Sequence, residues 1–180
     1  SKALPKVQPP FSPGSNPAMI QRSHDTLLLT GAAGGLGVQL RRRLKANCRV
    51  LRVSDREPLG NAGPDEQVVQ ADLADAAAVD TMVAGVQAIV HLGGVATEAA
   101  FAPILQANIV GMFHLYEAAR KHGVKRIVFA SSNHVTGFYS QGETIDASHP
   151  PRPDGLYGLS KAFGEDLARL YFDRHGIETA

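Results

Sequence analysis

The sequence predicts an α/β fold, a doubly wound parallel sheet with helices on both faces. Short apolar runs alternate along the chain with amphipathic stretches of helical period, which is the pattern of βαβ units. Two of the apolar runs, 26–30 and 88–92, end in glycines. Aromatic residues make up 6% of the 180 residues, tryptophan is absent and glycine occurs 18 times. That composition suits glycine-turned α/β units better than an aromatic-rich sandwich.

Residues 1–24 read as a proline-rich leader, with Pro5, Pro9, Pro10, Pro13 and Pro17 among the chain's eleven prolines. Proline fixes φ and removes a backbone donor, so a disordered or extended segment is expected there. The leader lacks the apolar centre of a secretory signal and the arginine-rich amphipathic pattern of a transit peptide. Residues 25–180 read as one domain. The run 26–30 (TLLLT) is a strand buried on both faces. In 35–46, Leu36, Leu40 and Leu44 fall at i, i+4 and i+8, one face of a helix. Residues 49–53 form the second strand, running into Ser54 and Asp55, and 67–70 a short third. A helix over 75–84 leads to the fourth strand, 88–92. One long helix is expected over 102–122, with Ile109, Met112, Phe113 and Tyr116 as its apolar positions. A fifth strand over 126–130 and a last helix over 155–175, beginning after Pro153 and Asp154, complete the pattern. Right-handed crossovers place helices on both faces. The first and fourth strands are expected to flank the point where strand order reverses, and ligands bind outside the strand ends at such a point.

The formal charge of +1 gives no broad electrostatic footprint, so neither nucleic acid nor an acidic membrane surface is an expected partner. No apolar run approaches the ~18 residues of a membrane helix. Cys48 is the single cysteine, which excludes a disulfide framework within the chain and suits a reducing compartment such as the cytoplasm. The seven histidines show no metal-ligand spacing, so no metal is expected.

The first strand runs into Gly31-Ala32-Ala33-Gly34-Gly35-Leu36-Gly37. Gly31 permits the turn out of the strand, Gly34 lets the backbone approach a pyrophosphate, and Gly37 lets the helix pack close to the sheet. The following helix would present free N–H groups and a positive dipole end to phosphates. Three glycines alone are a weak signal, but a strand before and a helix after supply the required context. Asp55, at the end of the second strand, can accept hydrogen bonds from ribose hydroxyls and repel a 2′-phosphate, which favours NAD over NADP. Arg56 beside it could accommodate that phosphate, so both cofactors stay open. Asp72 and Leu73, after the third strand, could reach the adenine edge, or Asp72 could cap the helix over 75–84. The expected architecture is thus Rossmann-like.

Tyr157 and Lys161 are four apart in the last helix, so they share one face about 5–6 Å apart between Cβ atoms. A tyrosine with pKa ≈ 10 is a poor base at neutral pH, and a nearby ammonium favours its phenolate. The pair alone is common on helix surfaces; downstream of a phosphate loop it points to proton transfer. A hydroxyl at the end of the fifth strand, Ser131 or Ser132, could bond a substrate oxygen or the reactive phenol.

Together, Gly31/Gly34/Gly37, Asp55, the strand end His91-Leu92-Gly93-Gly94, Asn108 and Tyr157/Lys161 resemble the extended short-chain dehydrogenase/reductase family over 26–180. Within it, the runs SSNH at 131–134 and DGLYGLSK at 154–161 look like the uronate-oxidising members. The resemblance implies NAD-dependent oxidation of a hexuronic acid, galacturonate or glucuronate, at C1 to a lactone. By position it makes Tyr157 the proton acceptor, Lys161 the group that lowers its pKa and holds the nicotinamide ribose, and Ser132 the substrate-orienting hydroxyl. Asn133 and His134 would contact sugar hydroxyls. Gly35 and Leu36 in the loop, Leu92, Gly93, Gly94 and Val95 at the fourth strand end, and Asn108 would join the cofactor site. The implied partner is a small sugar acid, and a homo-oligomer is left open. Two alternatives are carried: a nucleotide-sugar epimerase or dehydratase of the same family, and an inactive NAD-binding fragment. Two departures accompany the resemblance. Ala96 stands where the family tends to carry a serine. The chain also ends just before the family's sixth strand, so a C-terminal substrate lobe and its carboxylate-gripping arginine are expected to be missing.

Overall fold

Leu27, Leu28 and Leu29 follow one another in β1 (His24–Thr30), and successive side chains of a strand point to opposite faces. In the computed structural model, which describes residues 24–180, this alternation splits the interior into two cores. Leu28 joins Val79, Met82, Ile89, Met112, Leu115, Tyr116 and Ile127 on one face. Leu27 and Leu29 join Leu51, Val53 and Val90 on the other. The expected leader lies outside the described residues except at its end, where β1 begins at His24, paired with Cys48.

Six parallel strands lie in the order β3-β2-β1-β4-β5-β6. They are β1, β2 (Cys48–Asp55), β3 (Glu66–Gln70), β4 (Ala88–His91), β5 (Arg126–Phe129) and β6 (Glu178–Thr179). β1 pairs with β2 on one side and β4 on the other, so strand order reverses between β1 and β4 as expected. The sixth strand corrects the sequence reading: Glu178 and Thr179 already pair with Arg126 and Ile127. Two residues are too short to show a period of alternation, which is why the pattern ended at five strands. Tyr116 Oη, 2.9 Å from Thr179 Oγ1, anchors this last strand to the helix beneath it.

The smaller core is covered by α1 (Gly35–Leu44), through Leu40 and Leu44. Leu36, expected on the same face, is 59% exposed; it lies in the first turn of α1. The larger core is covered by α2 (Ala76–Val83), α4 (Gly111–Lys121) and α5 (Leu156–His175). The single helix expected over 102–122 is three consecutive pieces: α3 (Phe101–Ile104), a π-helical segment (Leu105–Val110) and α4. A π segment changes the angular advance per residue, so one 3.6-residue stripe cannot run through it. Met112 and Tyr116 are buried as expected, whereas Phe113 is 47% exposed. No described helix is long and apolar enough to cross a membrane.

Behind the β1–α1 turn, Glu66 bolts three elements together. Its carboxylate takes a two-pronged contact from Arg41 of α1, at 3.1 and 2.9 Å, and the Gly63 amide at 2.7 Å. Lys45 Nζ lies 3.1 Å away. The Glu66 side chain is 2% exposed; the Arg41 hydrogen bond above all, with those from Gly63 and Lys45, lowers its pKa to about 2 against the opposing effect of burial. A carboxylate depressed in the folded state stabilises fully above its unfolded pKa, near 4.5, and loses that contribution as pH falls toward 2. At 1.36 kcal/mol per unit the effect is at most about 3 kcal/mol. Glu66→Gln is therefore expected to destabilise the fold by about 1–3 kcal/mol at pH 6. Urea denaturation should show the gap to wild type closing by more than half at pH 3, and a gap that stays constant would reject the assignment.

Candidate active site

A cleft of about 480 Å³ opens where β1 and β4 part. Gly31 makes it possible. Its φ is +70°, and a Cβ there would lie 2.7 Å from both Leu92 C and Gly93 N, so only glycine lets the two strand ends come this close. Gly37 packs tighter still, with a Cβ position 2.1 Å from the Gly31 carbonyl oxygen. This seats the start of α1 on the turn, as the sequence predicts. Gly34 and Gly35 are different. Gly34 would make only ordinary contact and Gly35 none, so neither position is closed by a neighbour. No side chain caps α1, and its first N–H groups have no partner within the helix. The open cradle and uncapped dipole end fit a dinucleotide pyrophosphate.

Gly31, Gly34, Asp55, Asp72, Leu73, Leu92, Gly93, Gly94 and Val95 all line the cleft, and so does Ala96. Asp55 Oδ2 accepts from Ala33 N–H at 2.9 Å and Oδ1 from Glu57 N–H at 3.1 Å, which aims the carboxylate across the glycine turn. Glu57 also lines the cleft, and its side chain engages Arg56 at 3.3 Å. Two acids there make a poor seat for a 2′-phosphate. Asp72 is not the cap of α2; Asp75 is, accepting from Ala77 and Ala78. Thr30, buried beneath the cleft, takes the Gly93 N–H at 3.1 Å and lies 2.7 Å from His91 Nδ1. Burial, and then the Lys161 charge, push His91 down to about 3, so this imidazole is neutral.

Asn108 faces inward. It lies in the π-helical segment, is 8% exposed, and grips both backbone groups of Val95, at 2.7 and 3.0 Å. It also donates to Ser160 Oγ of α5 at 2.9 Å. Its side chain holds the cleft's lip in place and ties it to α5.

Tyr157 and Lys161 stand on the first turns of α5. The Lys161 ammonium is 5.6 Å from the centre of the Tyr157 ring and 4.8 Å from that of Phe129. It donates to the Ala130 carbonyl at 2.8 Å. Lys161 is 7% exposed, and burial lowers its pKa to about 8. Tyr157 is half-buried. Ser132 opens a 3₁₀ turn (Asn133–Thr136) and its Oγ accepts from His134 N–H at 3.2 Å. Ser131 points elsewhere, donating to Glu165. The His134 ring meets Tyr157 edge-on at 5.7 Å, which brings Ser132's turn against the helix carrying the pair.

Two carboxylates escaped the sequence reading. Glu98, in the segment after β4, accepts from the Leu156 and Tyr157 amides at 3.0 and 2.9 Å and so caps α5. Gly155 makes room for it: a Cβ there would lie 2.3 Å from Glu98 Oε2. Asp154 pairs with His134. A cap supplied from 58 residues away leaves no local sequence signal. Asp154, just ahead of the helix, could have been read as a cap, but it is not one.

Known proteins resemble this chain in sequence and in fold. A uronate dehydrogenase of Pseudomonas putida is 66% identical over 154 residues, 85% of this chain and 58% of that protein. One from Agrobacterium fabrum is 60% identical over 154 residues, 86% of this chain and 58% of that protein. The crystal structure of uronate dehydrogenase from Agrobacterium tumefaciens matches with a TM-score of 0.86 at 58% identity, covering 87% of this chain and 59% of that one. A tyrosine-to-alanine variant complexed with NAD matches with a TM-score of 0.85. The chain thus spans a little under three-fifths of the length of these relatives. The model of the NAD dependent epimerase/dehydratase family matches residues 27–180. That span takes in every element that builds the cleft and the Tyr157–Lys161 helix, and the chain belongs to this family.

Proposed function

We propose that the chain is the cofactor-binding and proton-transfer part of an NAD-dependent dehydrogenase that oxidises hexuronic acids at C1. The observation that carries this reading is the buried Lys161 ammonium beside Tyr157, next to the Ser132, Asn133 and His134 turn. Identity of 60–66% to uronate dehydrogenases supports the substrate class.

The residues divide the work. The N–H groups of Gly35 and Leu36 and the open space at Gly34 would hold the pyrophosphate. Asp55 would take the adenosine ribose hydroxyls, Asp72 and Leu73 the adenine edge, and Leu92, Gly93, Gly94 and Val95 the wall opposite, in a lip held by Asn108. NAD, when bound, would supply the acceptor for the hydride that leaves C1. Tyr157 Oη receives the proton of the C1 hydroxyl as that hydroxyl becomes the lactone carbonyl. Lys161 stabilises the phenolate and reaches the nicotinamide ribose. Ser132, Asn133 and His134 hold sugar hydroxyls so that C1 lies against Tyr157. The compartment that fits is the cytoplasm.

The test follows absorbance of released NADH over a panel of hexuronates and neutral aldoses, with the chain carried to the length of its relatives. Turnover of galacturonate or glucuronate is expected. Sugar conversion without net NADH would instead indicate an epimerase or dehydratase. Asp55→Ala is expected to narrow the NAD-over-NADP preference about tenfold or more, through loss of the ribose hydrogen bonds and of one repelling charge. An unchanged preference in isothermal titrations with both cofactors would remove Asp55 from the ribose site.

A further inference from the structure

We propose, resting on the hexuronate reading above, that Asp154 is a positioning residue for the sugar. It keeps the His134 proton on Nδ1 and turns Nε2 into an acceptor for a sugar hydroxyl beside Tyr157.

The two Asp154 carboxylate oxygens each lie 2.9 Å from His134 Nδ1. An ionised carboxylate only accepts hydrogen bonds, so Nδ1 must carry a proton. In the neutral imidazole the lone pair then sits on Nε2. That nitrogen has no partner among the described residues, and the side chain is 52% exposed, so a solute can reach it. The ring stands edge-on to Tyr157 at 5.7 Å, with 72° between the planes.

The surrounding backbone is built around this pair. Asp154 N–H donates back to the His134 carbonyl at 3.3 Å, Arg152 N–H donates to Val135 at 2.8 Å, and Phe138 N–H donates to Arg152 at 3.0 Å. The segment ahead of α5 is thereby fastened along the turn that holds His134. Two glycines leave the necessary room. A Cβ on Gly137 would fall 2.1 Å from Asp154 Oδ2, and one on Gly158 would fall 2.3 Å from the His134 carbonyl oxygen.

The Nε2 lone pair attracts a hydroxyl proton, so the His134–Asp154 pair reads the polyhydroxylated edge of the substrate.

Long-range 1H–15N correlation spectra of histidine-labelled protein read the tautomer directly. Wild-type His134, in its neutral form, is expected to show a protonated Nδ1 and a bare Nε2, and the Nε2 resonance is expected to move on adding galacturonate. Asp154→Asn, whose amide can donate to Nδ1, is expected to move the proton to Nε2, and Asp154→Glu to restore much of the wild-type pattern. In the chain carried to the length of its relatives, Asp154→Asn is expected to raise KM for galacturonate about tenfold, with KM for NAD unchanged within about twofold, the size of one misaligned hydrogen bond. A wild-type His134 with its proton on Nε2 overturns the proposal and needs no variant to fold. So does an Asp154→Asn protein that leaves both tautomer and sugar KM unmoved. Loss of all uronate turnover with the tautomer intact would strike the hexuronate reading instead of the pairing.

Discussion

Tyr157→Phe is expected to lower kcat for hexuronate oxidation by at least about a thousandfold, with NAD affinity unchanged within about threefold. The variant keeps the ring that His134 meets edge-on and that lies 5.6 Å from the Lys161 ammonium, and it loses only the oxygen. General-base assistance contributes typically 10²–10⁴-fold, and Tyr157 is the phenol that the Lys161 ammonium adjoins. The cofactor cleft does not depend on Tyr157, which does not line it. Stopped-flow and steady-state NADH assays check the first half, and calorimetry with NAD checks the second. Residual activity above a few per cent would mean that another group takes the proton.

Lys161 sharpens the same expectation through pH. Its folded pKa, lowered to about 8 by burial, leaves it charged at neutral pH at an energetic cost. A lysine depressed in the folded state penalises folding below about pH 8, and the penalty is relieved as pH rises from there toward its unfolded value near 10.5. The protein keeps a destabilising ammonium beside the Tyr157 ring. Lowering a phenol by three units needs roughly 4 kcal/mol, and a desolvated cation supplies far more of this than an exposed one. Lys161→Met should therefore lower activity at neutral pH and let it recover as pH climbs toward the ~10 of an ordinary phenol. Tyr157→Phe should stay inactive across the same range.

The doubly wound sheet was legible because β1 and β4 are buried on both faces and cannot be anything but apolar runs, and because each ends in glycine. The long helix over 102–122 was misread because a π-helical segment is invisible to a 3.6-residue period. That misreading conceals a structural feature: the segment is where Asn108 turns inward to grip Val95. At the candidate site, Gly31, Gly37, Asp55, Tyr157 and Lys161 were legible as candidates because local spacing singles them out. Glu98 and Asp154 were missed because their partners are set by tertiary approach. Glu98 reaches α5 only because Gly155 has no side chain, and Asp154 reaches His134 only because Gly137 has none. A glycine opposite a carboxylate is not a pattern that one sequence reveals.

The glycine turn supplies the second large effect, a graded one. Replacing each glycine by alanine adds the same methyl group, so differences must come from what it meets. At Gly37 it meets the Gly31 carbonyl oxygen at 2.1 Å and Ala32 backbone at 2.8 Å. None of these is the end of a flexible side chain, so α1 must lift from the turn. Overpacking typically costs 1–3 kcal/mol and occasionally more, and a collision with rigid backbone belongs at the upper end. Gly37→Ala is expected to destabilise by about 3 kcal/mol or more. Gly31→Ala should cost a similar amount by a different route, combining a left-handed φ of +70° with collision against Leu92 and Gly93, which wedges β1 from β4. Gly34→Ala and Gly35→Ala meet nothing closer than 3.4 Å, and should alter stability by less than about 1 kcal/mol. Their methyl groups instead enter the space in front of the uncapped helix, so NAD affinity should fall about tenfold or more while the fold stands. Urea denaturation and calorimetry on the four variants separate the two outcomes. If Gly34→Ala and Gly35→Ala bind NAD as wild type does, the pyrophosphate does not lie against the start of α1, and the cleft between β1 and β4 must hold its ligand in another way.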